Sequence, residues 1–145
     1  MPNTDDSGSL VQYGIEDKPP LKTSLLLGVQ HYLTMVGANI AVPLILAAAM
    51  GMPEEIIPRF VGTFFVVSGI ATLAQTTVGN RYPIVQGAPF SMLAPALAIV
   101  AVVTANPPAG IEAWRAALVQ LQGAIIVAAL AEVAVGYLGL IGRLR

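Results

Sequence analysis

The chain has 145 residues, of which 56% are hydrophobic and only 10% are charged. Soluble domains carry about 25% charged residues, so this composition is typical of a protein embedded in lipid. The formal net charge of -1 at pH 7 offers no basic surface for nucleic acid. The absence of cysteine excludes disulfides, thiolate metal sites and a cysteine nucleophile.

The first segment, residues 1–22, is polar, carries more acidic than basic residues and contains the pair Pro19–Pro20 near its end. It has no apolar stretch of the kind that a cleavable signal peptide requires. We therefore expect a short, mostly disordered cytoplasmic tail over residues 1–22 and membrane spans over residues 23–145.

Apolar stretches separated by loops predict an all-α membrane protein with four spans. The first runs over residues 23–50, and the second over 59–79 with a tight turn at 80–81. The third covers 82–103. The fourth begins near Trp114, which suits an interfacial anchor, and ends near Leu140.

The third span is predicted to be broken rather than one continuous helix. Its prolines at 83, 89 and 95 and its glycine at 87 interrupt the apolar stretch, and proline is costly inside a helix but favourable at its first position. We therefore predict a short extended strand that leads into a half-helix over residues 89–103, about 22 Å long at 1.5 Å per residue. That length is too short for a hydrocarbon core of about 30 Å.

The distribution of positive charge predicts the orientation in the membrane. Most of the basic residues fall on one side of this topology, namely Lys18, Lys22, Arg81, Arg143 and Arg145. By the positive-inside rule this side is cytoplasmic, and with it the amino terminus. The chain stops at Arg145 directly after the fourth predicted span, which we interpret as a truncation.

Two adjacent polar residues, Gln30 and His31, lie inside the first span, where polar side chains are costly and usually face other helices. Gln30 shares a face with Thr34, Gly37 and Ala41, a stripe suited to close helix contact. We interpret the pair as interhelical hydrogen-bonding residues, with a supporting or gating role near the broken span as the alternative. Since His31 is the only histidine, a histidine-cluster metal site is excluded.

The junction at residues 86–91 is the candidate binding site. Gly87 permits close backbone approach, and a helix that starts at Pro89 leaves the amides of Phe90 and Ser91 without intrahelical acceptors. A flat ligand that bears carbonyl groups could accept hydrogen bonds from those amides and stack on the Phe90 ring. The alternative is that the break is only a kink and Phe90 a packing residue.

Other polar residues carry weaker signals. Glu132 is the only acid deep in an apolar span, and we interpret it as snorkelling or as a structural hydrogen-bond partner rather than a functional group. Ser68 and Thr72 lie on one side of the second span and predict a helix interface rather than a pore. No acid pair, nucleophile with a base or phosphate loop occurs, so we predict no enzyme activity, no cofactor and no metal.

Four segments carry a resemblance to a known family. They are residues 13–20 (YGIEDKPP), 27–31 (LGVQH), 42–46 (VPLIL) and 79–90 (GNRYPIVQGAPF). Together they resemble the start of the nucleobase:cation symporter-2 family, also called the nucleobase–ascorbate transporter or xanthine/uracil permease family. The Gln-His pair combined with the Gly-x-Arg-x-Pro and Gln-Gly-x-x-Phe junction is a specific combination.

The resemblance implies a fold of fourteen spans in two inverted seven-span repeats, of which this chain is the first part. It also implies that the nucleobase lies between the half-helices of spans three and ten, where Phe90 contacts it through its amide and ring and Ala38 faces it from span one. The substrate-binding set is Phe90, Ala38, Pro89, Ser91 and Ala88, and the supporting set is Gln30, His31 and Gln86.

The chain departs from the family pattern in two respects. Ala88–Pro89 stands where small hydroxyl residues are frequent in the family, which affects the number of donors at the junction. The spans that follow the fourth also lie outside these 145 residues, including the acids of spans eight and ten that hold the base and couple the cation in the family.

These features predict the first part of a secondary transporter that couples uptake of uracil or a xanthine-type purine to a proton or sodium ion. We expect it in the plasma membrane, within the lipid bilayer, and as a homodimer in its full-length form. An anion transporter of the related sulfate permease fold is one alternative, since a half-helix amino terminus also suits an anion. A small four-span structural protein that assembles through glycine-rich faces is another, and Gln30–His31 favours the nucleobase interpretation over the anion one.

Overall fold

The computed structural model describes residues 13–14 and 17–139. The described residues form helices and connecting segments, with no β-strand among them. The elements are helix α1 (Leu21–Met50), helix α2 (Ile57–Thr77), a single 3-10 turn (Phe90–Met92), helix α3 (Leu93–Ala105) and helix α4 (Ala113–Tyr137).

Three of these helices are long and apolar enough to cross a membrane. Helices α1, α2 and α4 contain 30, 21 and 25 residues, and each carries few charges over its apolar part. At 1.5 Å per residue the shortest of them is about 32 Å long, enough for a hydrocarbon core of about 30 Å. The 3-10 turn and α3 together form a shorter apolar segment, Phe90–Ala105. The chain is therefore helical and of the membrane-protein class.

The core lies where α1, α3 and α4 meet, because small residues there let the helix backbones approach closely. Ala47 of α1 and Ala117 of α4 are fully buried, and Val100 of α3 is 1% exposed. The remaining buried apolar side chains of this cluster are Val42, Leu46, Met50, Met52 and Leu121. Helix α2 packs on α1 and contributes no buried residue of its own.

The predicted helix bounds are close to those observed, with small shifts at the ends. Helix α1 begins directly after Pro20. Pro58 lies in the first turn of α2 rather than before the helix, because the amides of a first turn make no bond within the helix and proline can therefore stand there. Helix α2 ends at Thr77, before Gly79. Most of the predicted tail, together with Leu140, Arg143 and Arg145, lies outside the described residues.

The predicted half-helix begins one residue after Pro89, but its first turn is a 3-10 turn rather than an α-helix. Pro89 is extended (φ -77°, ψ 131°) and precedes the 3-10 turn, and α3 begins only at Leu93. An α-helix that started at Pro89 would place Pro95 in its interior, where the proline ring would meet the Ser91 carbonyl. The tighter turn puts Pro95 in the first turn of α3 instead.

The predicted short strand before this helix is also not formed within the described residues. Residues 81–89 form neither a helix nor a strand. A strand requires a second extended segment to complete its ladder of hydrogen bonds, and none of the described residues supplies one.

Close packing at Ala117 predicts the effect of enlarging it. Ala117→Leu inserts three carbons into the α3–α4 contact and should lower the free energy of unfolding by about 1–3 kcal/mol. The matched control is Ala128→Leu, the same change on the exposed face of α4. Thermal unfolding in lipid nanodiscs measures both variants. Equal melting temperatures for the two would contradict this assignment of the core.

Candidate functional site

A non-helical segment connects α2 to the 3-10 turn and lies against two helices. It begins with a left-handed residue, Arg81 (φ 65°), beside which the Asn80 side chain accepts a hydrogen bond from the Tyr82 amide at 3.1 Å. Its last part, residues 86–88, is half-buried and hydrogen-bonded to side chains of both α1 and α2. Side chains therefore replace the helix ladder as partners for this backbone.

On the α1 side, the partner is a buried asparagine. Asn39 is 3% exposed, the one buried polar residue among those described. Its Oδ1 accepts a hydrogen bond from the Ala88 amide at 3.1 Å, and its Nδ2 lies 3.4 Å from the Ser68 hydroxyl of α2. Asn39 thus connects α1, α2 and the segment before the 3-10 turn.

On the α2 side, two hydroxyl residues one turn apart hold the Gln86 peptide. The Ser68 hydroxyl donates to the Gln86 carbonyl. The Gln86 amide donates to Thr72 Oγ1 at 2.9 Å, and that hydroxyl donates to the Ser68 carbonyl at 2.7 Å. The predicted interface role of Ser68 and Thr72 therefore consists of holding this peptide.

Gly87 is required by proximity rather than by backbone conformation, since its φ is not in the left-handed region. A Cβ at this position would lie 2.7 Å from Asn39 Oδ1 and would also meet Met35 Cε. The segment can approach α1 this closely only because residue 87 has no side chain.

The start of the 3-10 turn presents free donors. The Met92 amide donates to the Pro89 carbonyl at 3.1 Å, and the amide of Leu93 donates to Phe90. The amides of Phe90 and Ser91 have no acceptor among the described residues. Since Pro89 has no amide and that of Ala88 is bonded to Asn39, these two adjacent amides are the free donors at the start of the turn.

A partly open cavity of about 410 Å³ lies beside this segment, between it and α2. Its wall is mostly apolar and includes three of the predicted site residues, Gln86, Ala88 and Pro89. From α2 it is lined by Thr63, Phe64, Val67, Ser68 and Ala71. The predicted contact residues Phe90 and Ser91 are exposed and lie outside that lining.

The predicted residues of α1 are distributed over different faces. Ala38 is half-buried next to Asn39, whereas Gln30 and His31 are exposed and lie about 12 Å or more from Asn39 along the helix. Gln30 is nine residues from Asn39, which at about 100° per residue places it on the opposite face. The side chains of Gln30 and His31 make no hydrogen bond within the described part of the chain.

Two further polar predictions can be placed. Glu132 is exposed on α4 and has no hydrogen-bond or ion-pair partner within residues 17–139. Trp114 is half-buried at the start of α4, and the guanidinium of Arg115 lies 5.0 Å from its ring while pairing with Glu112 at 2.8 Å. Among the described residues, no group of three histidine or acidic side chains could hold a metal ion.

Sequence reasoning missed Asn39. A signal was available, because Asn39 is a polar side chain near the centre of an otherwise apolar helix, the situation in which polar residues usually have a dedicated partner. Its partner at residue 88 is 49 positions away in sequence, so only the fold reveals the contact.

The close approach at Gly87 predicts a large effect for a one-carbon change. Gly87→Ala should break the contact between Ala88 and Asn39 and lower the free energy of unfolding by about 1–3 kcal/mol. The control is Gly69→Ala in α2, where a Cβ would meet nothing within 4 Å and where alanine favours the helix. Thermal unfolding in nanodiscs compares them. A Gly87→Ala variant as stable as Gly69→Ala would contradict the described packing.

Comparisons with known proteins identify a family and several relatives of this chain. A family model described as "Permease family" matches residues 22–145. The chain is 42% identical to solute carrier family 23 member 1 of Rattus norvegicus, over 91% of this chain and 24% of that protein. It is 41% identical to nucleobase-ascorbate transporter 12 of Arabidopsis thaliana, over 90% of this chain and 18% of that protein.

A human relative shows a similar identity and coverage. Solute carrier family 23 member 2 of Homo sapiens is 41% identical over 97% of this chain and 25% of its own length. The chain therefore spans about a quarter of these relatives or less. No solved structure matches the chain. Because the family model covers most of its length, the chain belongs to the nucleobase–ascorbate transporter family, that of the xanthine/uracil permeases.

Proposed function

We propose that this chain forms the first part of a cation-coupled nucleobase transporter and supplies half of its substrate site. Two observations support the proposal. The family is one of permeases rather than enzymes. The segment before the 3-10 turn is also bonded to both α1 and α2, and the turn begins with two adjacent free amides, those of Phe90 and Ser91. These two free amides are the observation on which the proposal rests.

The chemistry of the free groups selects the ligand class. The amides of Phe90 and Ser91 are donors at the positive end of a helix, so they favour a ligand with hydrogen-bond acceptors. The exposed Phe90 ring offers a stacking face. A planar ring bearing carbonyl oxygens, such as uracil or xanthine, satisfies both requirements. Ala38, Ala88 and Pro89 would then form apolar contacts, with Gln30, His31 and Gln86 supporting the site.

The arrangement in the membrane is part of the same proposal. The segment Phe90–Ala105 serves as the outer half of a broken third span, so residues 23–145 form four spans after a tail over residues 1–22. The amino terminus lies in the cytoplasm and the protein in the plasma membrane. These spans belong to the core domain of a fourteen-span, inverted-repeat transporter that functions as a homodimer and couples to a proton or sodium ion.

A chimera tests the transport function directly. Residues 22–145 would replace the matching part of rat solute carrier family 23 member 1, and uptake of labelled uracil, xanthine, ascorbate and sulfate would be measured. We expect uptake of a nucleobase. Phe90→Ala should raise the KM for that base about twofold to twelvefold, the effect of losing one aromatic contact of about 0.5–1.5 kcal/mol.

The control for that variant is Val102→Ala, an exposed position on α3 away from the turn, which should leave the KM unchanged. Uptake of sulfate alone would favour the anion alternative. A chimera that reaches the cell surface and carries none of the four compounds would contradict the proposal.

A binding measurement tests whether these residues supply only half of the site. Two hydrogen bonds and one stacking face contribute about 2–4 kcal/mol, while association costs at least about 4 kcal/mol. The 145-residue chain alone should therefore bind uracil or xanthine more weakly than about 1 mM in isothermal titration. Micromolar binding would show that the site is complete within this chain.

A further inference from the structure

We propose that Asn39 is the positioning residue of the substrate half-site. Its buried side chain fixes the backbone that precedes the 3-10 turn and so determines which amides remain free for a ligand. The inference rests on the proposed function for the identity of the ligand, but the positioning itself concerns only contacts within this chain.

The donors and acceptors around Asn39 fit only one orientation of its side-chain amide. Its oxygen accepts from the Ala88 amide at 3.1 Å, and its nitrogen donates to the Ser68 hydroxyl at 3.4 Å, which in turn donates to the Gln86 carbonyl. Rotating the side-chain amide by half a turn would place its NH2 group against the Ala88 N–H. Only one orientation therefore satisfies all of these groups.

The backbone of residues 86–88 requires such side chains. Pro83 and Pro89 prevent this stretch from joining a helix, and the described residues offer it no strand partner. An unpaired amide in an apolar environment costs about 1–3 kcal/mol or more. Thr72 supplies an acceptor for the Gln86 amide, and Asn39 supplies one for that of Ala88.

Which amides have partners within the protein determines which amides of the half-site remain free for a ligand. Because the Ala88 amide is bonded to α1 and Pro89 has none, the free donors at the start of the 3-10 turn are those of Phe90 and Ser91. Gly87 lets the segment lie against Asn39 Oδ1. Without Asn39, the Ala88 amide would have to find another acceptor, and the turn that follows it would shift accordingly.

Site-resolved amide exchange tests the positioning without any ligand. The 145-residue chain, isotope-labelled and reconstituted in lipid, would be followed by NMR. Asn39→Ala should speed exchange of the Ala88 amide at least about tenfold, the effect of losing about 1.4 kcal/mol, while the Gln86 amide stays protected by Thr72. Thr72→Val should do the reverse.

The amide of Leu121 in α4 reports whether the helices stay folded. Unchanged exchange at Ala88 in Asn39→Ala, or an equal increase at Ala88, Gln86 and Leu121, would overturn the proposal. Should Asn39→Ala fail to fold, wild-type protein still decides the matter. A dipolar contact between the Ala88 amide nitrogen and the Asn39 side-chain carbonyl carbon supports the proposal, and its absence overturns it.

The functional consequence is measured in the chimera. At matched surface expression, Asn39→Ala should raise the KM for the transported base about tenfold and change the maximal rate less than about twofold, whereas a general loss of folded protein would lower the maximal rate alone. An unchanged KM overturns the role of Asn39 at the substrate site. A chimera that carries no base, with Ala88 exchange still dependent on Asn39, overturns the proposed function and supports the positioning.

Discussion

The constraint on which the rest of the site depends is the need to pair backbone amides that lie outside any helix within an apolar bundle. Water does not satisfy such amides inside a membrane, and each unpaired one is costly. Here one buried asparagine on α1 and two hydroxyl residues on α2 provide the partners. The segment is thereby fixed to both helices, and the short helix that follows starts at a defined place.

That fixed start gives the site its chemistry. A kink within a continuous helix would leave no free amide donors. A helix that begins after an extended proline instead leaves its first amides free to bind a ligand. Two adjacent donors and an exposed aromatic ring favour a planar ligand rich in acceptors. From the energies of two hydrogen bonds and one stacking contact, we expect these groups alone to bind such a ligand weakly.

Parts of this arrangement could be read from sequence because their causes are local. Proline and glycine spacing indicated non-helical backbone before Phe90, and apolar lengths indicated α1, α2 and α4. The 3-10 turn was missed because it depends on where Pro95 falls relative to a helix start. The role of Asn39 was missed because its partners come from distant segments, and the spacing of polar and apolar residues in α1 does not indicate them.

The central claim is that a ligand contacts the two free amides and not those already bonded within the protein. Backbone 15N and 1H shifts of the chimera, selectively labelled at Phe, Ser, Ala and Gln, measure this during titration with uracil or xanthine. Our account predicts hydrogen-bond shifts at Phe90 and Ser91, with Gln86 and Ala88 unchanged. Saturable binding that shifts Ala88 or Gln86, and leaves Phe90 and Ser91 unmoved, would contradict it.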